Sequence, residues 1–194
     1  MVLGASAEAV AWRMVVTKRA NIWAATSVVF ALTVPAALLT GRPELSPAVG
    51  VGASLAAGLG AGALLYLATR AFVAVIRSRW SAFVRDAGEV YARQGTLTTI
   101  AAVALGVTLA GGEEVFWRGL FQSRVGVSAG AAALTWLAFL VVKSTSANLA
   151  IVAGAIAGGA VWVGLFAWTH GVLAPMCCHG AWTGFMIAVP PVRR

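Results

Sequence analysis

Apolar residues run along most of the chain in long stretches, parted at intervals by short polar or basic clusters. A helix crossing the hydrocarbon core needs about 20 predominantly apolar residues. The stretches that approach this length lie at about Ile22 to Leu39, Ser46 to Thr69, Gly95 onward into Gly111-Gly112-Glu113-Glu114-Val115-Phe116-Trp117-Arg118, Val127 to Val142, Leu149 to Trp168 and Val172 to Val189. They predict an all-α, polytopic transmembrane bundle of about six spans. Gly41-Arg42-Pro43 divides the first two, which read as a hairpin, and Lys143-Ser144-Thr145-Ser146-Ala147-Asn148 divides the fourth from the fifth. The second span is rich in Gly and Ala, which allow helices to pack closely in lipid. Met1 to Asn21 reads as a short mixed segment carrying Arg13, Lys18 and Arg19.

The pattern changes between Arg70 and Gln94, where Arg77, Arg79, Arg85, Asp86, Glu89 and Arg93 alternate with aromatic and aliphatic residues. On a helical wheel Phe72, Val73, Ile76, Trp80, Phe83, Val84, Val90 and Tyr91 share an arc of about 120°. This fits an amphipathic helix lying in the membrane interface; a loop with a helical extension of the second span fits it equally. Residues 1–94 thus read as a helical hairpin plus a basic amphipathic segment, and residues 95–194 as a four-helix core of the same membrane domain.

Composition supports residence in a bilayer: 60% of the 194 residues are hydrophobic and 10% charged, against about 25% charged in soluble domains. The net charge of +8 does not indicate nucleic acid, because the basic residues cluster between apolar stretches and at the chain ends. With the N-terminus in the cytoplasm, 11 Lys and Arg fall in inner connections and three, Arg42, Arg118 and Arg124, in outer ones. The bias puts both termini inside, and the Ala- and Arg-rich composition suggests a bacterial plasma membrane. No secretory-type cleavage pattern follows the first apolar run, so the N-terminus is expected to be retained. The adjacent Cys177 and Cys178 suit buried small side chains rather than a disulfide or metal pair.

Ionised carboxylates are costly in hydrocarbon, so acids in a span are functional candidates. On a helix Glu114 and Arg118 stand four residues apart on one face, where they can pair, while Glu113 points about 100° away. The spacing suggests a structural Glu114–Arg118 ion pair that leaves Glu113 to bind or deprotonate water. The simpler alternative puts both acids at the exposed end of the third span and Arg118 in a loop.

The sequence Glu113-Glu114-Val-Phe-Trp-Arg118-Gly119-Leu120-Phe121, ending an apolar helix, resembles the first motif of the CPBP family, the CAAX proteases and bacteriocin-processing enzymes also called Abi. Downstream, Trp162-Val-Gly164-Leu-Phe-Ala-Trp-Thr-His-Gly171-Val-Leu-Ala-Pro175 followed by His179 is similar to the family's final helices. The resemblance implies intramembrane glutamic peptidase chemistry: the first glutamate and a histidine of an F-x-x-x-H motif activate water, and a later H-x-x-x-N helps polarise the scissile carbonyl. Carried over, Glu113, Glu114 and Arg118 match the first motif and His179 the last, with Thr183 in place of the asparagine.

The middle motif departs from the family. Phe139-Leu-Val-Val-Lys143 stands where F-x-x-x-H is expected, with lysine in the histidine position. An ammonium cannot accept a proton; a desolvated lysine can lose its own and act as a base, whereas an ion pair with Glu113 would keep both groups charged. Lys143 could also simply snorkel to the interface. Phe166-Ala-Trp-Thr-His170 fits the pattern literally, but it lies nine residues before His179 in the turn between the last two spans. The two histidines lack the H-E-x-x-H spacing of a zinc helix, so zinc ranks below a mechanism without any cofactor.

The expected activity is therefore endoproteolysis of a membrane-associated peptide or protein at or within the bilayer. A catalytically inactive relative acting in binding or immunity is one alternative, and a small transporter using the same buried charges is another. The charge count places the Glu113–Glu114 end toward the outside, whereas the CAAX enzymes of the resembled family work from the cytoplasmic side. Cysteine-accessibility mapping of the Arg118–Gly126 connection tests the orientation: labelling by an impermeant reagent from the outer face is expected, and labelling only from the cytoplasmic face would reverse the assignment.

Overall fold

A computed structural model describes residues 1–41, 47–92 and 97–192. They form helices α1 (Val2–Val16), α2 (Ile22–Gly41), α3 (Val51–Ile76), α4 (Ser81–Ala92) and α5 (Thr99–Glu114), a π-helical segment (Val115–Gln122), then α6 (Ser123–Val125), α7 (Ala129–Ser144), α8 (Leu149–Thr169) and α9 (Leu173–Ala188), with no strand among the described residues. The all-helical membrane bundle is as predicted. Among the described residues four helical stretches are long and apolar enough to cross a bilayer: Ile22–Leu39, Val51–Ile76, Thr99–Val125 and Leu149–Thr169. The other two expected spans correspond to α7 and α9, each of 16 residues. Arg42, Pro43, Arg93, Arg193 and Arg194, which entered the reading of the turns and of the charge bias, lie outside the described residues, as does the 94/95 boundary.

The structure refines three readings. Met1 to Asn21, read as a short mixed segment, holds a helix, Val2–Val16, whose buried residues include Glu8, Ala11 and Val15. Of the two readings of Arg70 to Gln94, the single amphipathic helix does not form, whereas the helical extension of the second span does: α3 continues to Ile76, residues 77–80 turn, and α4 begins at Ser81. The apolar face of α4 lies on protein, with Phe83 and Ala87 packed on Val73 and Ile76 of α3 and on Ala150 and Ala153 of α8. The alternative that ended the third span at the two glutamates, with Arg118 in a loop, does not hold. The span runs helically from Thr99 to Val125, so Glu113, Glu114 and Arg118 sit inside it, and Arg118 no longer counts as a residue of an outer connection.

The α4 helix is fixed where α8 begins. Asn148 caps α8 by accepting from the backbone N–H groups of Ala150 and Ile151 at 3.1 and 3.0 Å. The Asp86 carboxylate accepts the Leu149 N–H at 2.9 Å, and Asn148 Nδ2 donates to the Asp86 carbonyl at 3.0 Å. An acid at this helix end satisfies an otherwise unpaired donor and meets the positive end of the helix dipole.

In lipid, helices gain little from burying apolar side chains against one another, and close backbone approach takes over. The α3 helix shows this along Ser54, Gly58, Gly62 and Tyr66, a buried stripe at four-residue spacing. A Cβ at Gly58 would stand 2.5 Å from the Ala174 carbonyl oxygen, and one at Gly62 would stand 2.6 Å from that of Cys178. The α9 helix is thus clasped by α3 on one side and by α5 on another. Large apolar residues such as Leu32, Leu64, Ile100 and Val141 remain exposed on the bundle's exterior, the surface that lipid would cover.

This packing predicts that Gly58→Ala destabilises the protein by about 1–3 kcal/mol, the usual cost of forcing atoms into a packed contact. Gly60→Ala, where a Cβ meets nothing within 4 Å, should be neutral or slightly stabilising because alanine favours helix. Thermal unfolding in detergent separates the two; equal effects would mean that α3 does not approach α9 this closely.

Candidate active site

The third membrane helix widens where its charges begin. From Val115 to Gln122 it is π-helical, and every residue of this segment except Phe121 is buried. Single-turn π-bulges are the common form, frequently at functional sites; here the segment extends over eight residues. It is wrapped by apolar and aromatic side chains, with Phe116, Trp117 and Leu120 packed in one core with Phe139 of α7 and Trp162 of α8.

Glu114 and Arg118, both fully buried, form the ion pair that their spacing predicts, with Arg118 Nη1 3.2 Å from Glu114 Oε1. The same carboxylate oxygen lies 2.8 Å from His179 Nδ1, which joins α5 to α9. Arg118 also sits over the rings of Phe139 and Trp162, 4.9 and 5.4 Å from their centroids, and His179 stacks on Trp162 with centroids 3.7 Å apart. The His179 ring is therefore oriented by a carboxylate at its edge and an indole on its face. Ionised Glu114 only accepts, so Nδ1 is the donor and Nε2 is the ring nitrogen left for chemistry. Gln122, one turn beyond Arg118, is also buried and donates to the Val163 carbonyl at 3.1 Å.

Glu113 turns away from this pair, as its angular offset requires, toward α7. Its Oε1 lies 2.8 Å from Lys143 Nζ, and 9% of its side chain remains accessible. Lys143 occupies the last turn of α7 but does not snorkel, since only 5% of its side chain is exposed. Its second partner is Glu8 of α1, with Nζ 2.5 Å from Glu8 Oε1. The rings of Trp12 and Phe139 flank the ammonium with centroids 4.8 and 4.9 Å away. Trp12 Nε1 donates to Glu8 Oε1 at 3.3 Å and Trp117 Nε1 to Glu8 Oε2 at 2.7 Å.

The remaining candidates lie apart from these contacts. Thr183 is half-buried on α9, and its methyl would meet a Cβ at Gly106 of α5 at 3.2 Å, a packing contact seven residues before Glu113. His170 is exposed. It closes α8 in the left-handed region at φ 55°, so the literal Phe166–His170 match reflects a helix terminus outside the buried cluster. Among the described residues no group of three His, Cys, Asp or Glu side chains is arranged to hold a metal ion.

Sequence reasoning missed Glu8 and the tryptophans around it. A signal was present: Glu8 is the only acid in Val2–Val16, and Trp12 follows four residues later on the same helical face. The rule that selected Glu113 and Glu114 selects Glu8 as soon as this segment is read as helix.

Residues 95–185 match the family described as type II CAAX prenyl endopeptidase Rce1-like. No curated protein and no solved structure gives a significant match. The matched segment begins just before α5 and ends inside α9. It contains Glu113, Glu114, Arg118, Lys143 and His179, and leaves Glu8 outside. Residues 95–185 of this integral membrane chain thus match the CAAX-protease family, in its type II CAAX prenyl endopeptidase Rce1-like form.

Proposed function

We propose that the protein is an intramembrane endopeptidase that hydrolyses a peptide bond of a membrane-associated peptide or protein with water activated by Glu113. The observation that carries this reading is the joining, within the family segment, of Glu114 to both Arg118 and His179, with the adjacent Glu113 held separately by Lys143. Two neighbouring acids thereby have different environments and can take different roles. Glu114 gathers a guanidinium and a ring N–H on one oxygen, Oε1, and serves to orient. Glu113 has one ionic partner and residual exposure, which suits a general base.

In the first step Glu113 takes a proton from water as the water oxygen bonds to the scissile carbonyl carbon and the carbonyl electron pair moves onto its oxygen. His179, as an imidazolium with Glu114 as its counter-ion, donates from Nε2 to that oxyanion. In the second step the proton on Glu113 passes to the leaving nitrogen as the C–N bond breaks, giving a carboxylic acid and an amine and restoring the carboxylate. Lys143 stays an ammonium throughout and holds Glu113 in place, a different part from that of the histidine whose position it occupies. The scheme requires no cofactor. We assign the protein to a plasma membrane, with both termini cytoplasmic as the charge bias indicates.

A second reading, a non-catalytic relative that binds a membrane peptide or partner protein, is favoured by the closure of the site: Glu113 and His179 are each only 7% exposed. Glu113→Gln and His179→Ala distinguish the two. For a peptidase, cleavage of a membrane peptide should fall by about 10²–10⁴-fold on loss of the base and about 10²–10³-fold on loss of the oxyanion donor. Unchanged turnover in either variant rejects its assigned role. A biological phenotype fully retained by Glu113→Gln supports the binding reading, and flux that follows a proton gradient would indicate a transporter.

A further inference from the structure

Lysine beside the proposed base raises a problem of charge. In a buried site, an ammonium whose only counter-ion is Glu113 would be stranded when Glu113 takes a proton, and an uncompensated buried charge is costly. Glu8 alters this. It lies on α1, outside the family segment, is 1% exposed, and approaches Lys143 Nζ at 2.5 Å. Each of its oxygens also accepts an indole N–H, Oε1 from Trp12 at 3.3 Å and Oε2 from Trp117 at 2.7 Å, so the carboxylate is well solvated by protein. The α1 helix itself is fastened into the bundle: Thr145 Oγ1 donates to the Ala9 carbonyl at 3.1 Å, and a Cβ at Gly4 would meet the Phe116 ring at 2.6 Å.

We infer that Glu8 is a positioning residue of the active site: it is the standing counter-ion of Lys143, which frees Glu113 to gain and lose a proton without leaving a buried ammonium unpaired. This rests on the peptidase reading given above. With Glu113 ionised, two carboxylates share one ammonium. After Glu113 removes the water proton, Glu8 and Lys143 remain as a neutral pair. When that proton moves to the leaving nitrogen, the two-to-one arrangement returns. Lys143 exchanges no proton, and Glu8 takes part through Lys143 without touching substrate. The N-terminal helix is therefore one wall of the site.

The test has a stability arm and a kinetic arm. Glu113→Gln imitates the protonated base, and with Glu8 in place it should melt close to the wild type. Adding Glu8→Gln strands Lys143 and should lower the melting temperature by a further ~10 °C, the order expected when a buried charge loses its partner. Lys143→Met on that double variant should recover most of the loss. A Glu8→Gln/Glu113→Gln protein as stable as Glu113→Gln, or a triple variant without recovery, overturns the inference.

In the kinetic arm, Glu8→Gln alone keeps the Lys143–Glu113 pair and should fold, with kcat down about 10- to 100-fold and KM unchanged. Glu8→Asp, which keeps the charge, should regain part of the loss and carries this arm if Glu8→Gln does not accumulate. An unchanged kcat, or a loss confined to KM, overturns the inference. If the wild type cleaves no membrane peptide, the peptidase reading fails, while the stability arm still decides whether Glu8 is the counter-ion of Lys143.

Discussion

The buried ammonium of Lys143 organises the site. A lysine inside a bundle needs a partner, and here two helices far apart in the sequence supply one each: α1 brings Glu8 and α5 brings Glu113. That requirement explains why α1 is folded and inserted although it is too short to cross the membrane. It also explains why indole N–H groups from α1 and from the π segment converge on Glu8, since each removes part of the cost of burying a carboxylate. The second ionic group, Glu114 with Arg118 and His179, ties α5 to α9 by the same principle. Between them, the two adjacent glutamates of one helix reach α7 and α9, and through Lys143 also α1.

The lipid-facing structure and the polar interior follow different rules. The α3 and α9 helices meet through glycine, with backbone against backbone, and this contact holds His179 in register with α5. The interior is polar and ionic, enclosed by Trp117, Phe139 and Trp162. Aromatic faces suit this position, because they exclude water while attracting the cations that they cover. With His179 protonated, three cations balance the three carboxylates of Glu8, Glu113 and Glu114, so the proposed chemistry moves a proton within a neutral cluster.

Much of the fold was legible in the sequence because the bilayer imposes a length and a polarity on each span. The Glu113–Glu114–Arg118 geometry was legible as well, since helical periodicity alone sends the two acids to different partners. Glu8 was not. Arg13, Lys18 and Arg19 give Met1 to Asn21 a polar look, and Val2–Val16 is shorter than a span, so the rule for intramembrane acids was never applied there. The π segment was hidden for another reason: its eight residues make only about two turns, too few for apolar spacing to tell an i→i+5 helix from an i→i+4 one. The partner of Lys143 lies 135 residues away in sequence, and nothing local announces a contact of that kind. The Phe166–His170 match was legible as a pattern too, yet His170 stands apart from the buried cluster, because it ends a helix in the left-handed region at the surface.

The account stands on water being added across a peptide bond by this cluster. Incubating the purified protein, reconstituted in lipid, with a pool of transmembrane peptides in water enriched in oxygen-18 addresses that directly by mass spectrometry. Fragments whose new carboxyl termini carry the heavy oxygen are expected from the wild type and should be strongly diminished with Glu113→Gln. Fragments formed equally by both proteins, or intact peptides throughout with the wild type, would contradict it.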